Sequence, residues 1–480
     1  MDDLTRRDFT KASGALLTAG VLVDKAALAA PPPAAKKRYA IVGVGSRAYM
    51  YLNAIQKSHA PYAELVAACD LNPGRLELVR KHATDAGRSA PRTYLAADFD
   101  KMIAESKPDT VIVTTVDGTH DDHLVRAMAA GCDTITEKPM TTDADKCRRI
   151  LEARRQSGRR CTVAFNYRYM PVRTQIKEML GSGAIGDVTS VDFHWMLDTH
   201  HGADYFRRWH SQKRFSGGLM VHKATHHFDL VNWWLSAVPV TVRASGRRNF
   251  YTPAMAKRLG LASHHDRCHT CPEKKKCSFE LDLAKSAQLK SLYLDQEKHD
   301  GYHRDRCVFR PDIDIEDSMS VVVTYDTDAT LTYSLTAFAP WEGYALTFNG
   351  TKGRLEHKVV ESQETHVPGA GKTYDISLTV QPLRKPATIV TPRTGEGGHG
   401  GGDPMLLDDL FAPTPARDPL MRAADERSGA YSILVGVAAN RCFATGETVR
   451  IADLVPNLAR PDYPRMPTRT APVPMPTKTR

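Results

Sequence analysis

The segment VHKATHHFDLVNWW, residues 221–234, gathers His222, Lys223, His226, His227 and Asp229, with Trp233 and Trp234 close behind. So many titratable groups in one short stretch suit either metal binding or proton transfer. Read as one helix, His222, His226, Asp229 and Trp233 share a face, and Lys223, His227, Leu230 and Trp234 share the next. Histidines at i, i+4 would suit zinc, but the hydrolytic zinc pattern places a Glu directly after the first His. Lys223 stands there instead, a cation that opposes a nearby metal. Acid–base chemistry fits better, because an imidazole with a pKa near 6.5 accepts a hydroxyl proton near neutral pH. His227, one step round from His226, reads as a buried core histidine.

A second constellation begins at KKRYAIVGVGSRAYMYLNAI. An apolar strand, Tyr39–Val42, runs into Gly43-Val44-Gly45-Ser46-Arg47-Ala48 and then a helix. Gly43 permits the tight turn, Gly45 lets backbone approach a pyrophosphate, and Ala48 allows close helix–strand packing. The helix N-terminus offers free N–H groups to the anion. A further strand, AELVAACD, ends in Asp70, placed to accept hydrogen bonds from a ribose. A carboxylate there repels a 2′-phosphate, so NAD is expected over NADP, with Arg75 close enough to moderate the preference. Strands and helices then alternate at βαβ spacing, which assembles a parallel, doubly wound α/β sheet.

The succession GVGSRA, CDLNPGR, TTVDGTHDDHLVRAMAAG and EKPM resembles the glucose-fructose oxidoreductase/inositol dehydrogenase/MocA family, and the likeness covers most of the chain. The resemblance implies an NAD-binding Rossmann domain over 36–165. It implies a substrate and dimerisation α+β domain over 166–460, built on an open, largely antiparallel sheet through which the chain would form a homo-oligomer. It implies that Lys138, preceded by Glu137, reaches nicotinamide and substrate, while Thr115 and His120 lie near the cofactor. The family's Gly-Gly lead-in falls on Gly217-Gly218 and its His on His226. Its Asp falls on His222, a departure. Lys138, His226 and His222 are therefore the expected catalytic groups, with His226 the leading acid/base. Related NAD-using glycosidases carry a histidine at that place and a late His-Gly-Gly-x-Asp element. Here GEGGHGGGDPMLLDDL supplies His399 and Asp403, read either as a site element or as a glycine-rich surface loop. LDTHHGADYFRRWH, 197–210, reads as a polar loop whose Tyr205 and Arg207, with Lys223, would line a sugar pocket beside Trp209. The implied activity is hydride transfer on a sugar or polyol. A redox-neutral glycosidase and a non-catalytic NAD/sugar-binding protein are the alternatives.

Cys69, Cys132, Cys147, Cys161 and Cys442 are scattered and read as core. Cys268, Cys271, Cys277 and Cys307 cluster in an insertion at about 250–310. Four thiolates suit structural zinc or an iron–sulfur cluster, and two disulfides are the competing account in an oxidising compartment. The N-terminus, TRRDFTKASGALLTAGVLVDKAALAA, looks like a twin-arginine export signal over residues 1–30, with an apolar run too short to span a bilayer. A periplasmic or extracytoplasmic location is expected, without stable membrane insertion. The formal net charge of +10 is spread along the 480 residues, so a nucleic-acid partner is not expected. The Pro-rich tail, 461–480, reads as extended or disordered.

Overall fold

The computed structural model describes residues 35–362, 375–414, 417–467 and 470–476. The twin-arginine segment lies outside them. Strands β1 (Lys37–Val42), β2 (Ala63–Asp70), β3 (Arg92–Leu95), β4 (Thr110–Val113), β5 (Asp133–Thr136) and β6 (Cys161–Val163) pair in parallel in the order 6-5-4-1-2-3. Helices cover both faces, so the central strands are apolar throughout: all of β4 and the last four residues of β1 are buried. The order reverses between β1 and β4. That opens a crevice at their carboxyl ends, where a doubly wound sheet binds ligand.

The second sheet contains β7 (Val188–Asp198), β8 (Pro239–Arg247), β9 (Ser318–Tyr325), β10 (Thr330–Ala339), β11 (Glu342–Gly350), β12 (Gly353–Ser362), β13 (Asp375–Pro382) and β14 (Thr388–Ile389). Late in the chain, β15 (Ala424–Asp425) joins the first sheet antiparallel to β6, and β16 (Val449–Arg450) joins the second beside β8. Among the described residues of the second sheet, only β7 and β10 pair in parallel. Residues on β10 alternate, with Leu331, Tyr333, Leu335 and Ala337 turned into the core, the period-two pattern of a sheet covered on one face. An N-terminal Rossmann-like domain thus precedes a C-terminal α/β domain with a mostly antiparallel sheet. The helix Glu426–Thr445 packs on the second sheet through β8 and reaches the first through β6.

The 221–234 segment is not one helix. A short helix, Leu219–His222, is followed by a turn at Lys223–Ala224 and a second helix, Thr225–Leu235. Gly217 and Gly218 both take positive φ (69° and 77°) to launch the first, and a Cβ on Gly217 would strike Val221 at 2.7 Å. Every residue of Thr225–Leu235 is buried, which explains why its polar side chains all need partners. The stretch 197–210 also differs from the expected loop: Asp198 accepts from the N–H groups of His200 and His201 and caps a helix, Thr199–Arg207. Residues 461–467 carry no helix or strand and dock through Pro464, whose carbonyl accepts from the Ser236 hydroxyl at 2.7 Å.

Candidate active site

The crevice is walled by the turns after β1, β2, β4 and β5. Gly43 (φ 82°) lies so close to the turn after β4 that a Cβ would meet the Thr115 backbone at 2.7 Å, so only glycine fits. Asp70, buried at the end of β2, accepts from the Val44 N–H at 2.7 Å and the Asn72 N–H at 2.8 Å. It thereby fixes the glycine turn while sitting where a ribose would lie. Arg75 reaches Asp70 at 3.4 Å and Asp300 at 2.6 Å. Arg47 donates to Glu137 at 2.6 Å, and Tyr51 donates to the same oxygen at 2.8 Å. His120 is buried between the carbonyls of Pro139 (2.9 Å) and Thr115 (3.2 Å). Burial brings its pKa down to about 4, so the neutral imidazole donates to one of these carbonyls and packs against the other. The glycine turn and Asp70 fit a dinucleotide such as NAD.

Lys138 follows Glu137 and donates from Nζ to the His222 carbonyl at 3.1 Å. The helix break makes that bond available. In a continuous helix the His222 carbonyl would accept from the His226 N–H; here the His226 N–H goes to the Lys223 carbonyl at 3.3 Å. Desolvation pulls the Lys138 pKa down to about 8, against the attraction of Asp117 and Glu137. His222 Nδ1 lies 2.5 Å from Asp117 Oδ2. Burial lowers the imidazole pKa and raises that of the carboxyl; in the form that can act as a base, a neutral His222 donates its Nδ1–H to the Asp117 carboxylate. Asp117 fixes the imidazole and leaves Nε2 for another group, as a carboxylate does for a catalytic histidine. Sequence reading missed Asp117, although its loop, VDGTH, follows a strand that ends at the crevice.

His226 stacks on Tyr167, with centroids 3.9 Å apart, and burial holds its pKa well below the ordinary value. Lys223 donates to the Tyr167 hydroxyl at 3.3 Å. Burial opposes its charge, yet Tyr167, Tyr205 and Glu342 outweigh that and raise its pKa. Tyr205 bonds His201 at 3.0 Å, which bonds Glu342 at 2.8 Å, and the Tyr205 ring meets His222 edge-on at 5.4 Å. His210, also missed, contacts His222 at 4.2 Å between centroids and stacks on Trp209. His227 bonds Tyr333 at 2.8 Å and is fully buried, the core role its face suggested.

The late glycine-rich element comes to the same crevice. His399 bonds Asp403 at 2.8 Å. Asp403 accepts from Asn166 at 2.6 Å and lies 3.7 Å from Arg47. Burial works against its charge, but His399, Arg47 and Asn166 more than offset this and bring its pKa down to about 2. Arg207 departs from expectation. Its guanidinium points away from the pocket to the Cys268 thiol (3.5 Å) and the Phe279 carbonyl, because Arg207 ends its helix against the insertion. The five scattered cysteines are buried, and all nine cysteines are unbridged. Among the described residues no group of three or more His, Cys, Asp or Glu is disposed to hold a metal ion.

The insertion also reaches the crevice. The Tyr293 hydroxyl accepts from the Ser46 N–H at 3.1 Å, and the Gln296 carbonyl accepts from Asn72 at 3.1 Å. These contacts leave no periodic signal in sequence.

Two models of one oxidoreductase family match the chain: its NAD-binding Rossmann fold over residues 37–165 and its C-terminal alpha/beta domain over 177–451. YteT of Bacillus subtilis (strain 168), named as an oxidoreductase, is 40% identical over 432 residues, 87% of this chain and 98% of its own. Inositol 2-dehydrogenase of Acidothermus cellulolyticus is 33% identical over 189 residues, 39% of this chain and 50% of that protein. Aldose-aldose oxidoreductase from Caulobacter crescentus superposes with a TM-score of 0.57 at 17% identity, over 87% of this chain and 100% of that one. WlbA dehydrogenase from Bordetella pertussis, solved with NADH and UDP-GlcNAcA, gives 0.58 at 18%, over 87% and 99%. At these identities the two structures speak for the fold alone.

Proposed function

The chain belongs to the Gfo/Idh/MocA family of NAD-binding oxidoreductases, and from that premise we propose that it oxidises a hydroxyl of a sugar, sugar derivative or polyol, with its cofactor held through turnover. The observation that carries the reading is Lys138 bonded to the His222 carbonyl beside the Asp117–His222 pair. Bound NAD supplies the hydride acceptor. The chain's own groups do the rest. Neutral His222, oriented by Asp117, takes the hydroxyl proton at Nε2, and His226 stands ready as the alternative base. The Lys138 ammonium stabilises the alkoxide as it forms. Lys223 offers an ammonium donor to neighbouring hydroxyls. The twin-arginine segment supports export of the folded protein, and the resemblance supports assembly through the second sheet.

A second reading has a specific observation behind it. A histidine at 222, together with a His399–Asp403 pair that reaches Arg47, favours transient oxidation followed by elimination of a glycoside, hydration and re-reduction. Purified protein without added cofactor, offered free sugars and nitrophenyl glycosides of both anomers, separates the two. NADH appearing in amounts matching enzyme, then consumed by an added ketone, supports the oxidoreductase. Nitrophenolate released over many turnovers with no lasting NADH supports the glycosidase and overturns the first reading. Neither signal, with tight NAD and sugar binding, leaves the non-catalytic reading.

A further inference from the structure

Two side chains at the end of β2 pull the choice of cofactor in opposite directions. Asp70 closes the strand, and Arg75 stands in the first turn of the helix that follows, Pro73–Asp85. A carboxylate there bonds a ribose hydroxyl, whereas a nearby arginine accommodates a 2′-phosphate. Which of them governs depends on where the guanidinium is held, and the insertion holds it. Arg75 Nε donates to the Leu292 carbonyl at 3.2 Å, Nη2 to Asp300 Oδ2 at 2.6 Å and Nη1 to Asp70 Oδ1 at 3.4 Å. Two of these three acceptors belong to the insertion, and Asp300 makes the shortest contact.

Asp300 is itself fixed in place. Gly301 takes positive φ (65°) to end the short helix Glu297–Asp300, and the Tyr302 N–H then donates to Asp300 Oδ1 at 3.0 Å. The same helix is anchored through Glu297, which accepts from Arg267 at 2.7 Å. The Arg75 and Asp300 side chains are 11% and 14% exposed, so salt in the solvent screens their pairing little. Two carboxylates around one guanidinium leave net negative charge beside the ribose position, which opposes a phosphate dianion. We infer that Asp300 is a specificity-determining residue for the cofactor: it denies Arg75 to a 2′-phosphate and commits the crevice to NAD. This rests on the dinucleotide reading of the crevice and is independent of which hydroxyl is oxidised.

The test is fluorescence titration of the full chain with NADH and with NADPH, without sugar. The unaltered chain should bind NADH tighter than NADPH by about tenfold or more. Asp300→Asn keeps the side chain's shape and removes its charge, and Asp300→Ser removes both. Each should tighten NADPH by about tenfold while NADH moves within about threefold. Adding Arg75→Ala to either should abolish the gain, because the released guanidinium is what receives the phosphate. A merely structural role for Asp300 would not produce that reversal. Equal affinity of the unaltered chain for both nucleotides, no gain for NADPH in a variant of unchanged thermal midpoint, or a gain that survives Arg75→Ala would each overturn the inference. Binding of neither nucleotide by the unaltered chain would overturn the dinucleotide reading with it.

Discussion

Lys138 and His222 meet through a main-chain oxygen, so the lysine's position depends on the break at Lys223 and not on a side-chain partner. Lys138→Ala should cost about 10²–10³-fold in kcat with little change in KM, the usual loss when a donor to a developing oxyanion is removed. Asp117→Asn should leave His222 neutral but wrongly held, lowering kcat by about 10²-fold. The pH dependence comes from the same groups. The proton-accepting form pairs a neutral His222 with an ionised Asp117, and burial raises the Asp117 pKa well above the ordinary carboxyl value, so kcat should fall as pH drops through that raised pKa. Lys138 must be charged, and its pKa is brought down to about 8, so kcat should decline as pH rises through that value. A rise through pH 8 would instead make Lys138 the base, and the roles of Lys138 and His222 would exchange.

Among the elements, the helix Thr225–Leu235 shows what sequence could and could not reveal. The density of titratable residues marked the segment, and the two faces separated His226 from His227 correctly. The break was not legible, because it comes from Gly217 and Gly218 at positive φ and from packing at Lys223, which have no periodic signature. Nor was the role of Asp229. Its carboxylate pairs bidentately with Arg168 at 2.6 and 2.8 Å, both side chains 1% exposed. Asp229→Ala would leave a buried guanidinium uncompensated and should cost about 3–5 kcal/mol, measured by urea unfolding. A loss within 0.5 kcal/mol would mean that water or tail residues take over the pairing. The His399–Asp403 turn belongs to a different element and a different question. His399→Ala should leave sugar oxidation within about twofold if the turn only shapes the pocket rim. Loss of glycoside cleavage alone would assign that turn to the elimination step.

Across the whole molecule, the first sheet was the most legible part. AELVAACD is β2 from end to end, and Asp70 at its end holds the glycine turn through the Val44 N–H. The insertion was legible only as a cysteine cluster, since its grip on the dinucleotide turn is a contact between residues more than two hundred positions apart. That grip has a kinetic consequence. The Tyr293 hydroxyl occupies the Ser46 N–H that the turn would present to a diphosphate, and Asp300 ties down Arg75 beside Asp70. Gly74 leaves room for Gln296 at the same edge, where a Cβ would stand 1.8 Å from its amide oxygen. A diphosphate takes up the Ser46 N–H only when Tyr293 gives it up. Two hydrogen bonds, one of them charged, set a barrier contribution of about 2 kcal/mol. Tyr293→Ala combined with Asp300→Ala should therefore speed both NAD entry and NAD release by about tenfold or more, changing affinity less than either rate. Stopped-flow fluorescence with NADH measures both. Unchanged rates in a variant of unchanged thermal midpoint would show that the cofactor leaves by another side of the crevice.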